Sequence, residues 1–127
     1  MAADTIAALG AGGNFSERPL LIYEMRVYEA MPGKMATLQA LFHDHMDALF
    51  IKHGFRAVGY WTEAIGDNTL LNYMLAWDDS NQMEERWRAL RTDPDFRGSI
   101  DASNVKGAVV ARMDTRTLRP TAFSPLP

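Results

Sequence analysis

Few residues of this 127-residue chain pair a reactive side chain with a spacing that could aim it. His45 is the first. It shares a helical stripe with Met35, Leu38, Phe42 and Leu49, alternately three and four apart, and breaks that stripe with an imidazole. Two readings stand. One is a core imidazole hydrogen-bonded to a carbonyl or a sheet tyrosine. The other is the wall of a helix–sheet cavity beside Tyr23, Tyr73 or Trp61, where a pKa of about 6.5 would make it a general acid or base.

Glu24 and Arg26 come second. They lie two apart in a β-rich run and so share a strand face. Buried charges need partners, so the pair is either an ion-paired patch between sheets or an anion site. In the anion site, Arg26 would hold a substrate carboxylate or enolate and Glu24 would orient it. Asn72 is unusual in mid-strand but alternates away from Tyr73, so those two cannot line one pocket. Metal chemistry is disfavoured. On a helix His43 and His45 diverge by about 200°, and His45 and His53 stand about 12 Å apart along the axis, too far for one ion. The sequence carries no Ser/His/Asp arrangement, and Gly10–Gly13 lacks the Lys-Ser or Lys-Thr of a phosphate loop. No cofactor is expected.

The elements that must position these residues follow from periodicity. Residues 1–19, rich in Ala and Gly, read as a flexible arm before a domain over 20–127. Leu20 to Glu29 is the first strand, with Tyr23, Met25 and Val27 on one face and Ile22, Glu24, Arg26 and Tyr28 on the other. Pro32-Gly33 opens a long helix that Gly54 stops. Phe55–Ile65 and Thr69–Asp78 form a hairpin around Gly66-Asp67-Asn68. Simple alternation puts Trp61 with Phe55, Ala57 and Gly59, and Tyr73 with Leu71, Leu75 and Trp77. Ser80 caps a second helix, with Met83, Trp87 and Leu90 as its stripe. Asp93-Pro94-Asp95 starts a short third helix, and the run VKGAVVARM within Val105–Leu118 supplies a fourth strand.

That order describes an α+β fold, a ferredoxin-like βαββαβ sandwich with a four-stranded antiparallel sheet. Both faces of the hairpin strands are largely apolar, whereas a sheet with one wet face alternates cleanly. Helices can cover one face, and a second copy of the chain is the economical cover for the other. A net charge of −3 and a pI near 5.5 argue against nucleic-acid or anionic-membrane partners. No run is apolar enough to span a bilayer, no positive n-region marks a secretory signal, and the expected location is cytoplasmic. With no cysteine, disulfides and thiolate chemistry are excluded.

Tyr23-Glu24-Met25-Arg26-Val27-Tyr28, followed by Pro32-Gly33-Lys34, resembles the NIPSNAP family, as do His53-Gly54-Phe55, Gly59-Tyr60-Trp61-Thr62 and Phe123-Ser124-Pro125-Leu126. The likeness spans about residues 22 to 126. It implies a dimeric α/β barrel, in which two ferredoxin-like sheets pack face to face. That superfamily includes cofactor-free monooxygenases, lactone isomerases, sugar mutarotases and haem enzymes, so the resemblance implies a fold and a homodimer, not a reaction. The expected function is to bind or transform a small organic molecule by cofactor-free oxidation, isomerisation or tautomerisation. His45 and Arg26 are the expected catalytic residues, with Tyr23, Glu24, Trp61 and Tyr73 around the substrate. The alternative is a non-catalytic dimeric module.

Overall fold

The structure, a computed structural model, describes residues 21–126. The arm expected over residues 1–19 lies outside the described residues. Strand β1 runs over Ile22–Ala30, β2 over Arg56–Thr62, β3 over Leu70–Trp77 and β4 over Val110–Leu118. All neighbours pair antiparallel, in the order β2-β3-β1-β4. Between β1 and β2 runs a helix, α1, which is α-helical over Met35–Leu41, π-helical over Phe42–Met46 and α-helical again over Asp47–Lys52. Helices α2 (Ser80–Arg91) and α3 (Pro94–Ser103) follow β3. The expected α+β, ferredoxin-like order is present, with three helices among the described residues.

Local chemistry explains the boundaries. Gly54 ends α1 in the left-handed region, at φ 76°. The Phe55 N–H donates to the Phe50 carbonyl and the Gly54 N–H to that of Ile51. The Phe55 and Phe50 rings stack at 4.7 Å, the apolar contact that accompanies this type of helix stop. The cap of α2 is Asp79, not Ser80: its carboxylate accepts from the Gln82 N–H, which makes Ser80 the first helical residue. Asp93 caps α3 in the same way, with Pro94 at the first turn where its missing N–H costs nothing.

The π-helical turn changes which side of α1 meets the sheet. A π-turn takes up an extra residue, so the buried series on α1 is Leu38, Phe42, Met46 and Phe50, with Leu49 beside it. Met46 occupies the place that uniform helical spacing assigns to His45. His45 is consequently exposed, turned toward α3 and away from the sheet.

A second irregularity sits in β2. The register with β3 shifts between Ala57 and Gly59, a bulge that sets two residues of β2 against one of β3. Ala57 pairs with Leu75 on the helix side, but beyond the bulge Tyr60 pairs with Tyr73 there and Trp61 pairs with Asn72 on the outer side. Trp61 is therefore on the opposite face from Tyr73 and 45 % exposed, its ring lying over Gly59, where a Cβ would come within 2.7 Å of it.

The core lies between the sheet and the helices. Phe42 packs against Tyr28, Tyr60, Tyr73 and Phe50, and Phe55 continues the aromatic layer to Trp77 and Trp87. A smaller cluster of Leu21, Tyr23, Val58 and Ala76 holds the outer face, with Leu126 of the C-terminal tail packed on it.

Candidate functional site

Strand β1 brings Glu24, Arg26 and Tyr28 to the helix side, where they pair across β3 with Leu75, Tyr73 and Leu71. Glu24 is buried and satisfied. Its Oε1 accepts from the indole N–H groups of Trp77 at 3.0 Å and Trp87 at 2.7 Å, and its Oε2 from Arg26 Nη1 at 2.6 Å. Arg26 Nε donates to the Tyr28 hydroxyl at 3.0 Å, and that hydroxyl shares a 2.8 Å hydrogen bond with the hydroxyl of Tyr73. The guanidinium also stacks 4.5 Å from the centre of the Trp87 ring. The result is one connected polar chain, Trp77 and Trp87 to Glu24, Arg26, Tyr28 and Tyr73, inside an aromatic core.

Burial alone weakens the charged form of Arg26, but Tyr73, Tyr28 and Glu24 outweigh it and hold its pKa above the ordinary value. Burial, reinforced by Tyr28, pushes the Tyr73 phenol well above its ordinary value. At neutral pH Arg26 is thus a fixed cation and Tyr73 a neutral hydrogen-bonding phenol. Arg26 Nη2 has no partner among the described residues.

Arg26 and Tyr28 stand in the wall of a cleft of about 480 Å³ between the sheet and the three helices. Leu38, Phe42, Met46, Phe96, Ile100 and Val109 make its other walls largely apolar. Among the described residues no histidine or carboxylate lines it. What the cleft can do is take up an apolar molecule and offer one unspent guanidinium nitrogen to a negative charge that it carries or develops.

The expected site residues divide accordingly. The structure brings Arg26, Glu24 and Tyr73 together on the helix side, with Tyr73 behind Tyr28 and not on the cleft surface. It does not bring His45, Tyr23 or Trp61 there. His45 is moved out by the π-turn, Trp61 by the bulge, and Tyr23 by strand alternation, which buries it against Val58 and Ala76. Glu24 and Arg26 do not lie on the outer face, where a sheet–sheet patch would need them. Sequence reading missed Tyr28 and Trp87. Tyr28 was visible as the next residue on the Glu24–Arg26 face, whereas the Trp87 contact depends on how α2 lies on the sheet.

His53 Nε2 and Lys52 Nζ both meet the buried Asp93 carboxylate, at 2.8 and 2.7 Å, and tie α1 to the cap of α3. Among the described residues no group of three or more His, Asp or Glu could hold a metal ion, and no helix is long and apolar enough to cross a membrane.

Four antiparallel strands in the order β2-β3-β1-β4, covered on one side by helices, define a ferredoxin-like α+β protein. The sequence matches the NIPSNAP family model over residues 23–125, most of the chain. The chain belongs to the NIPSNAP family. Among solved structures it is similar to a NIPSNAP family protein from Agrobacterium tumefaciens, at 26% identity and a TM-score of 0.75, covering 84% of this chain and 99% of that one. An uncharacterized NIPSNAP-like domain protein from Burkholderia xenovorans matches at 23% identity and a TM-score of 0.74, covering 87% and 94%. More distantly, a candidate antibiotic biosynthesis monooxygenase from Chloroflexus aurantiacus shares the fold at 14% identity and a TM-score of 0.54, covering 80% and 93%. A comparison with curated proteins finds no match.

Proposed function

We propose that the cleft between sheet and helices binds a small organic molecule, with Arg26 as the group that stabilises negative charge on it. One observation carries this reading. A buried guanidinium, fixed by Glu24, Tyr28 and the Trp87 ring, stands in the wall of an apolar cleft with one nitrogen unspent. A structural ion pair has no need of an adjoining cleft, whereas an oxyanion or carboxylate site needs a pre-aimed donor in a dry, shaped space. The reaction class that suits it passes through an enolate or related anion whose proton leaves to water: a cofactor-free isomerisation or tautomerisation, or an oxidation with dioxygen as the oxidant. The Chloroflexus monooxygenase candidate on the same fold supports that class by analogy alone.

A second reading, a module that binds without catalysis, is favoured by the lining itself, whose described residues include no histidine or carboxylate to move a proton. In either case a second copy of the chain would cover the outer sheet face, where Trp61 and Leu118 are 45 % and 43 % exposed. Native mass spectrometry of the protein taken gently from cells tests both parts. The expected spectrum shows a dimer carrying a small-molecule adduct, and Arg26→Met retains the dimer but loses the adduct. A dimer without any adduct would sink the cleft reading, and a monomer would sink the pairing.

A further inference from the structure

Another cavity, of about 470 Å³, also borders Trp87. Its character is different. Thr115 and Thr117 reach it from β4, where they pair with Arg26 and Glu24, and Arg88, Arg91 and Glu84 reach it from α2. Around it stand three guanidinium groups and two carboxylates, so its local charge opposes the −3 of the whole chain. Glu24 already neutralises Arg26, while Arg88 and Arg91 form no ion pair with a described residue.

The two cavities share three residues, Arg26, Trp87 and Arg91. Both guanidinium groups lie against the same indole, at 4.5 and 5.3 Å from its centre. Cations suit the last turn of a helix, which accounts for Arg91 being basic. It does not account for Arg91 folding back on Trp87 at the rim common to both cavities. A guanidinium resting over an indole gives up part of its side-chain freedom and keeps donors for an arriving anion.

We propose that the ligand is an organic anion with an apolar body, and that Arg91 is a binding residue for it. The anionic end is held at the junction of the two cavities, between Arg26 Nη2 and Arg91. The apolar remainder lies in the cleft among Phe42, Met46, Phe96 and Ile100. The carboxylate is the chemical class that fits, because its two oxygens match the planar donor edge of arginine. This inference rests on reading the cleft as a small-molecule site.

Calorimetric titration with octanoate, 3-phenylpropionate and their primary amides tests it. On the unmodified protein each acid should bind about tenfold more tightly than its amide, the scale expected of hydrogen bonds to a charged group. Arg91→Gln, at an exposed position that leaves the core intact, should cut the preference for acid over amide at least threefold, Arg26 Nη2 holding what remains. Arg91→Lys should fall between, because a point charge lacks the fork. Amides that bind as tightly as acids, or an Arg91→Gln protein whose preference for acids is undiminished, would overturn the inference and leave the cleft reading standing. Binding of none of the four probes would overturn both.

Discussion

Replacing Glu24 with Gln keeps the shape of the side chain and removes the charge on which three donors converge. The amide oxygen can still accept from the Trp77 and Trp87 indoles. The amide nitrogen must then face Arg26 Nη1, where a carboxylate oxygen stood at 2.6 Å, so a buried cation meets a donor. Deleting one partner of a buried ion pair costs about 3–5 kcal/mol. Arg26 keeps the Tyr28 hydroxyl and the Trp87 ring and borders the cleft, which lowers the expectation to about 2–3 kcal/mol. For a domain of this size that is a fall in Tm of roughly 8–12 °C. Urea unfolding at pH 7 would measure it. In a double-mutant cycle with Arg26→Met the two losses should fall short of additivity by at least about 1 kcal/mol, because the second change removes the stranded cation. A loss under about 1 kcal/mol, or simple additivity, would refute the account of Glu24 as the hub of a buried network.

The π-turn gives an unequal pair. Met46→Ala should cost about 2–4 kcal/mol, as a core deletion does, while His45→Ala should stay within about 0.5 kcal/mol; equal costs by chemical denaturation would mean the helix presents a different face. Lys52, His53 and the Asp95 backbone N–H hold the Asp93 carboxyl well below the usual carboxylate range. Its folded-state pKa is therefore below the unfolded value near 3.8, and the stability it contributes is complete above that value and is lost as pH falls through the folded one. Asn at position 93 keeps an N-cap acceptor but no charge. The stability gap between the native chain and Asp93→Asn should hold from pH 7 to about pH 5 and narrow toward pH 3; a gap of constant size across that range would disprove the assignment.

The fold was legible because its signals are periodic and local. Alternation along β1 put Glu24, Arg26 and Tyr28 on one face, and Gly54 and Pro94 marked helix ends that the structure keeps. The site was half legible, and its errors have physical causes. Uniform helical spacing picked His45 because nothing in the sequence announces that a turn of α1 widens at Phe42–Met46. Uniform alternation sent Trp61 to the side of Tyr73 because the bulge between Ala57 and Gly59 is an insertion in register, not in composition. Each slip moved one residue to the wrong face while leaving its element correct. The Trp87 contacts with Glu24 and Arg91 depend on how α2 lies on the sheet.

The sheet order also has a consequence in time. Strand β1 is the first of the four in the chain, yet its neighbours are β3 and β4, the last of which begins at Val110. The strand bearing Glu24 and Arg26 therefore waits for two partners distant in sequence, and long loops must close before either ladder forms. The β2–β3 hairpin, joined by a short link, can zip first. Its Trp77 offers Glu24 an indole N–H as soon as β1 docks. The side of the sheet that carries Arg26, completed by β4, therefore joins elements far apart in the sequence.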